Sequence, residues 1–494
     1  KYGTNLMEAL QRLHNRGSVS TGYNIDNSVK FEDANDEYFT RTNASGTNRR
    51  TFTVSLWCKR SFLSTADGLT MELWDGGVHS EATRFGFGLN NDELWYDIGY
   101  SARYRGQSTR QFTDTYAWYH IVWKVDTTQA TEADRMRWYV NGVEETDWAS
   151  RQYPPQNFDT AVHAGTLARI GSYDATYHGF RGYIAEFNYL DGLAVDCTEF
   201  GEFDEDSNIW KPKEYTGSYP VQSCYLDFGN SANLGSNPKG DDTDWTAVNI
   251  TAADQATDTP TNNFPILVPM YITTANSTLS EGGLKWDINM PSGSAFNPNT
   301  SAMSSFQVSG TNGGKWYIES KITNNERGFS GIISSLALLQ QTVDPTEFVY
   351  WDYYNGWIGS SLISTETNPP GVAVNDIVGI ALDCDNQRVT FSKNGGWLVA
   401  NGDMTGTSPS DWRWDWTSDA NFLDHPNCNG NIAFWCGIQT DSNTFRPIHL
   451  VNFGGYSPYT ISSGNSDENG YGNFEYAVPS GFYALCTKNL AEYG

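Results

Sequence analysis

The chain is poor in basic residues: 31 Lys and Arg stand against 58 Asp and Glu, a formal charge of −27 over 494 residues. Phosphate contacts need clustered Lys and Arg, so the balance argues against nucleic acid as a partner and against electrostatic adhesion to an anionic membrane. No run approaches the ~18 consecutive apolar residues of a spanning helix, so membrane insertion by that route is not expected. Charged side chains are only 18% of the chain, while Trp, Tyr and Phe reach 14%, the opposite of a disordered composition. None of the seven cysteines (Cys58, Cys197, Cys224, Cys384, Cys428, Cys436 and Cys486) lies in a Cys-x-x-Cys pair, and no zinc site or other cofactor is expected. Cys58, Cys384 and Cys436 sit in apolar runs and read as small hydrophobes in sheet cores. The opening shows no basic region followed by an apolar one, so no secretory signal is visible, and a first residue of Lys implies that something precedes it or has been removed. No heptad or β-helical repeat supports a long shaft.

What is abundant is turn chemistry: 47 Gly with frequent Ser, Thr and Asn between short apolar runs points to an all-β chain. Length alone suggests about three parts. In Met136–Val140, Met136, Trp138 and Val140 alternate with Arg137 and Tyr139, the period of a half-buried strand, and Asn141-Gly142 follows as a hairpin signal. Asn394-Gly395 repeats that signal after Arg388–Lys393. The one helical pattern is 5–16, where Leu6, Leu10 and Leu13 share a face. At about twelve residues such a helix is marginal alone and must dock, on its own domain or on a neighbouring subunit.

Candidate site residues are aromatic and polar. Trp351, Asp352, Tyr353, Tyr354, Asn355 and Trp357 combine flat apolar rings with directional donors and acceptors, which suits the C–H faces and hydroxyl rims of sugars. Exposure at the end of a sandwich is the expectation for them, so that Trp351→Ala and Trp357→Ala would leave stability nearly unchanged. Tyr177 and His178 form a second aromatic loop candidate. Trp412, Trp414 and Trp416 read either as a sugar platform or as the inward face of a strand, and His120 reads as a structural strand residue. Asp241, Asp242 and Asp244 offer oxygens for Ca²⁺, although without the Gly and terminal Glu of an EF-hand loop.

The order Trp118-Tyr119-His120, then Met136–Val140 with its Asn-Gly turn, then Ile170-Gly171 and Phe180-Arg181-Gly182-Tyr183-Ile184-Ala185-Glu186 resembles the laminin-G/concanavalin-like jelly roll. Gly314-Lys315-Trp316-Tyr317-Ile318-Glu319, Gly379-Ile380-Ala381-Leu382-Asp383 and Phe391-Ser392-Lys393-Asn394-Gly395 resemble a SPRY β-sandwich. The implied organisation is a helical anchor at 1–21, a jelly roll at 22–220, an ordered connector at 221–300 and a SPRY-like sandwich at 301–494. Trp210-Lys211-Pro212-Lys213-Glu214-Tyr215-Thr216-Gly217, Tyr225-Leu226-Asp227-Phe228, Asp244-Trp245-Thr246 and Asp258-Thr259-Pro260-Thr261-Asn262-Asn263, in that order, are similar to a family of tailed-phage structural proteins. That resemblance implies a virion location, other virion proteins and further copies of the chain as partners, and host surface polysaccharide as the ligand of a tail or head fibre. A purely structural decoration protein is the alternative.

Related glucanases carry a Glu-x-Asp-x-Glu strand as nucleophile and acid. Glu202-Phe203-Asp204-Glu205-Asp206 lacks the final Glu, so a non-enzymatic role is expected. Deleting residues 1–20 is expected to leave both modules folded and to abolish incorporation into particles, read by particle composition; normal incorporation would remove the anchoring role.

Overall fold

The computed structural model describes residues 22–494 outside the segments 46–47, 64–69, 78–82, 89–91, 100–102, 173–178, 241–242, 270–276, 289–300, 325–327, 335–347, 354–355, 360–370, 413, 416–429 and 439–446. Leu6, Leu10 and Leu13 lie outside the described residues, as do Tyr177, His178, Asp241, Asp242, Tyr354 and Asn355. The chain divides into two compact units between Asn263 and Phe264.

Among the described residues two eight-stranded antiparallel sheets build the first unit, with a two-stranded hairpin of Gly201–Phe203 and Trp210–Pro212 beside them. One runs Val143–Glu144, Met136–Val140, Trp118–Asp126, Thr51–Arg60, Gly182–Asp191, Ser28–Phe31 and Gln255–Ala256, with Cys224–Leu226 also paired to Gly182–Asp191. The other runs Trp148–Arg151, Tyr104–Gln111, Glu93–Ile98, Thr83–Phe87, Met71–Asp75, Leu167–Ile170, Tyr38–Thr42 and Thr246–Val248. Alternate residues of Thr51–Arg60 (Phe52, Val54, Leu56 and Cys58) fill the core with Phe85, Trp123 and Trp138. The Trp123 and Trp138 rings stack at 4.5 Å. Asn141 (φ 48°) and Gly142 (φ 77°) both take the positive φ that a type I′ turn demands.

The outer face of the first sheet is also covered. His120 is buried between Trp57 (4.7 Å) and Trp210 (5.9 Å). Trp210 Nε1–H donates to His120 Nδ1 (3.0 Å), which leaves the imidazole proton on Nε2 to donate to Ser55 Oγ (2.9 Å). Burial pushes this imidazole down to about 3, so it stays neutral. Lys59 Nζ, fully buried, meets Asp258 Oδ2 at 2.7 Å and Asn263 Oδ1 at 2.7 Å, and Trp118 Nε1–H donates to Asp258 Oδ1 at 3.1 Å. The end of the unit is thereby fastened to the strand Thr51–Arg60.

The connector expected at 221–300 is therefore corrected. Cys224–Leu226, Thr246–Val248 and Gln255–Ala256 are strands of the first unit, and Leu267–Pro269, Ser277–Ser280 and Lys285–Ile288 are strands of the second. The Asp, Asn, Thr and Pro density that suggested a connector marks the turns between short strands.

The second unit is again two sheets among the described residues. One runs Leu267–Pro269, Ser301–Ser304, Asn431–Ile438, Gly328–Ser334, Phe348–Asp352 and Trp357–Gly359. The other centres on Lys315–Asn324, flanked by Ile448–Asn452 and Ile377–Asp383, and Arg388–Lys393 follows on the far side of Ile377–Asp383. Asn394 (φ 49°) and Gly395 (φ 81°) repeat the type I′ turn. Glu319, with no exposed surface, accepts from Tyr317 Oη (3.1 Å), Tyr459 Oη (2.9 Å) and the backbone N–H groups of Glu475 (2.9 Å) and Tyr476 (2.8 Å). Four donors make this buried carboxylate a tether for the C-terminal segment, which ends in the helix Thr487–Tyr493.

The exposure expected around Trp351 is corrected as well. Trp351 is 0% exposed, and Asp352 and Tyr353 are 1% exposed. Trp351 meets Phe391 of the facing sheet edge-on at 6.1 Å, and Tyr353 hydrogen-bonds Ser330. On the opposite face of the same strand, Phe348 and Tyr350 pack with Phe329 and Trp435. A strand buried on both faces is aromatic without alternation, which is why this run imitates a sugar platform. Trp357 enters the strand Trp357–Gly359, its backbone paired with Asp352. Trp351→Ala is expected to destabilise the second unit by about 3–5 kcal/mol, read by urea unfolding; an unchanged midpoint would contradict this packing.

Candidate functional site

A one-residue irregularity in Met71–Asp75 creates the charged face of the first unit. The register with Thr83–Phe87 slips between Glu72 and Trp74, so Met71, Leu73 and Trp74 all enter the core. Glu72 and Asp75, three apart, then occupy the opposite face together. From Asp75 the pairing runs directly across the sheet: Arg169 opposite Asp75, Asp75 opposite Arg84, Arg84 opposite Asp97, and Asp97 opposite Arg105. Opposite charges alternate over five strands, the arrangement that cross-strand neighbours favour.

The contacts follow that ladder. Arg84 Nη1 lies 3.0 Å from Glu72 Oε1, and Arg84 Nη2 lies 3.3 Å from Asp97 Oδ2. Arg103 Nη2 (2.6 Å) and Arg105 Nη2 (3.4 Å) reach the same Asp97 oxygen. The Arg84 guanidinium sits 5.6 Å from the centre of the Trp95 ring. Glu72, Asp75 and Asp97 are buried, and so is Trp95. Asp75 Oδ1 accepts from the Gly77 N–H (2.9 Å), while burial holds the Asp75 carboxyl well above its usual range against the pull of Arg84 and Arg169. Among the described residues, Asp75 Oδ2, Asp97 Oδ1 and Trp95 Nε1–H have no hydrogen-bond partner.

A second cluster lies on the other sheet. Gly182–Asp191 carries a bulge between Ala185 and Asn188, and Glu186 takes φ 52° within it. Its carboxylate accepts from Tyr23 Oη (2.7 Å) and Tyr225 Oη (3.0 Å). Burial raises Glu186 to about 7 despite those two donors. Tyr219 Oη donates to the neighbouring Asn188 Oδ1 at 2.5 Å. These five side chains pair among themselves, so the cluster fastens the segment around Tyr23 to the sheet.

The other sequence candidates fall elsewhere. Asp244 accepts from the Asn233 side chain (2.7 Å) and the Asn237 N–H (2.9 Å), so both of its oxygens serve a turn. No group of three His, Cys, Asp or Glu is arranged to hold a metal ion among the described residues. Asp204 caps a hairpin turn through Ser207 and Lys211. Trp412 is half-buried, stacked on Phe482, with the Arg388 guanidinium 4.1 Å from its ring. The six described cysteines are buried and unbridged. Reading the sequence missed Glu72, Asp75, Arg84 and Asp97, because strict alternation puts Glu72 and Asp75 on opposite faces.

Residues 33–193 match the family described as the concanavalin A-like lectin/glucanases superfamily, in its laminin G form. No curated protein matches the chain. Among solved structures, the chain is similar to domains LG4-5 of the mouse laminin alpha1 chain, at 9% identity and a TM-score of 0.29, covering 95% of this chain and 90% of that one. It is similar to the SPRY domain of human HERC1, at 12% identity and a TM-score of 0.23, covering 35% and 89%. A candidate carbohydrate-binding protein from Bacteroides ovatus shows 14% identity and a TM-score of 0.31, covering 46% of this chain; the chain spans 60% of that protein's length. The described residues are all-β apart from short helical turns and the C-terminal helix, and residues 33–193 carry the laminin-G/concanavalin-like match.

The Glu186 carboxyl gives a signed pH test. Its folded pKa is raised, so the folded chain keeps a proton that the unfolded chain releases between about 4.5 and about 7. This group's contribution is therefore most favourable at acid pH and is lost as pH rises through that window. Glu186→Gln is expected to lose less stability than the parent between about pH 5 and about pH 7.5 in urea unfolding; equal losses would contradict the assignment.

Proposed function

We infer that the chain is a non-enzymatic, lectin-like protein of a phage particle whose first unit engages glycans on the host surface. The observation that carries the glycan reading is the charged face: a sheet in a lectin-type fold devotes one side to arginines, carboxylates and a tryptophan with unpaired polar atoms. Sugars are held by such sets, since hydroxyls take paired donors and acceptors from charged side chains. Affinity at one weak site gains from many copies, which suits a protein repeated on a particle. The virion setting, the other virion proteins as partners and self-association draw on the ordered motifs of 210–263 and their likeness to tailed-phage proteins. Mass spectrometry of purified particles is expected to detect the chain, and the purified protein is expected to bind host cells or extracted surface polysaccharide. Absence from particles would sink the setting; failure to bind either, with the chain on the capsid, would favour decoration.

One observation favours a second reading. Glu72, Asp75 and Asp97 share a face, and Asp75 retains its proton more readily than a free carboxyl, the disposition of an acid beside a base. Against it, Arg84 is paired to both Glu72 and Asp97, which ties up the ionised partners. Release of reducing ends from host polysaccharide that is lost in Asp75→Asn would establish hydrolysis.

A further inference from the structure

We propose that Lys59 and Asn263 join covalently, the Lys59 amine displacing the Asn263 amide nitrogen as ammonia to leave an isopeptide bond within the first unit. This chemistry is independent of the glycan reading. Three groups meet in one buried place: Lys59 Nζ lies 2.7 Å from Asn263 Oδ1 and 2.7 Å from Asp258 Oδ2. The side chains of Lys59 and Asp258 are 0% and 2% exposed, and Asn263 is buried with them. The nucleophile therefore stands beside its electrophile. A C=O bond is about 1.2 Å long, so the contact to Oδ1 sets Nζ about 3–4 Å from the amide carbon, close to a near-attack separation. Both partners are held in place. Asn263 Nδ2 donates to the Tyr116 carbonyl oxygen (2.9 Å), which turns Oδ1 toward Lys59. Trp118 Nε1–H donates to Asp258 Oδ1 (3.1 Å), which directs Oδ2 to Nζ.

Lysine attacks only as the neutral amine, and the surroundings favour that form. Burial pushes the Lys59 ammonium below the usual lysine range, against the pull of Asp258 and Asp114. The Tyr183 ring, 5.7 Å from Nζ, and the Trp118 indole border the site, where desolvation penalises the charged pair relative to a neutral amine and acid. The step balances within the three side chains. Asp258 takes one proton from the ammonium, and the freed lone pair of Nζ attacks Asn263 Cγ to form the new C–N bond. A second Nζ proton passes to Nδ2, the Cγ–Nδ2 bond breaks, and ammonia departs. What remains is an amide joining Lys59 to Asn263 and a protonated Asp258, reached without oxidant, metal or co-reactant. A buried ion pair is thereby exchanged for neutral groups, which removes its desolvation cost. Until the bond forms, the ion pair and hydrogen bonds alone hold these residues together; afterwards the end of the unit is covalently fixed to the strand Thr51–Arg60.

The test is mass spectrometry of the whole purified chain under denaturing conditions, followed by sequencing of its proteolytic peptides. The expected result is an intact mass lower than that of the sequence by one ammonia, and a branched peptide joining Lys59 to Asn263. Asn263→Ala and Asp258→Asn should each show the full mass of their own sequence, with folding checked by near-ultraviolet circular dichroism. An unshifted mass in the parent chain overturns the proposal and leaves the three residues as a noncovalent fastening. Ammonia loss that the peptides trace to another asparagine overturns it too, as does loss of water with Lys59 linked to Asp258. A bond that forms as fully in a folded Asp258→Asn overturns the proton transfer assigned to that carboxylate. Should either variant fail to fold, the parent mass and the branched peptide decide the matter, since neither needs a replacement.

Discussion

Side chains on a strand face alternate sides, so one extra residue reverses every position beyond it. In the first unit that constraint is met at Leu73. Three core residues, Met71, Leu73 and Trp74, come from a five-residue strand, and the cost of losing regular pairing is offset by burying Trp74 against Phe52, Phe85 and Trp123. The same slip delivers Asp75 to the row of Arg169, Arg84, Asp97 and Arg105. Without it, an aspartate would enter an aromatic core and the ladder of charges would lack its second rung. Core packing and the charged face thus depend on one local irregularity.

Much of the fold was legible in the residues. Each Asn-Gly pair placed a hairpin where both residues adopt positive φ, and Met136, Trp138 and Val140 entered the core as their spacing required. These features are local: turn chemistry and period-two burial act within a few residues. The site was not legible for the complementary reason. Glu72, Arg84 and Asp97 come from three strands, and the slip that aligns them leaves no mark in Met71-Glu72-Leu73-Trp74-Asp75. Aromatic richness misled in the second unit, because Tyr350 and Trp351 face opposite sides of one strand and both sides are covered. Position in a sheet, not ring count, separates a core from a platform.

Buried charge recurs through the molecule with different outcomes. Glu319 has a donor for each direction its oxygens offer, and Lys59 has an aspartate and an amide, so both act as fastenings of distant segments. Such groups cost desolvation, and complete hydrogen bonding is what makes them tolerable. Among the described residues Asp75 and Asp97 each keep one oxygen without a hydrogen-bond partner, as Asp191 does on the other sheet.

The pairing of Ser28–Phe31 with Gln255–Ala256 brings the first and last strands of the first unit side by side. A tension applied between those two ends would not be transmitted through the aromatic core. It would first load the Lys59 contacts with Asn263 and Asp258, and only after these gave way would it peel the short final strand, one hydrogen bond at a time. The unit would yield at its margin under flow while its interior and its charged face stayed assembled, and rejoining the strand would restore it. For a protein tethered at one point and gripping at another, that arrangement separates the part that gives from the part that holds.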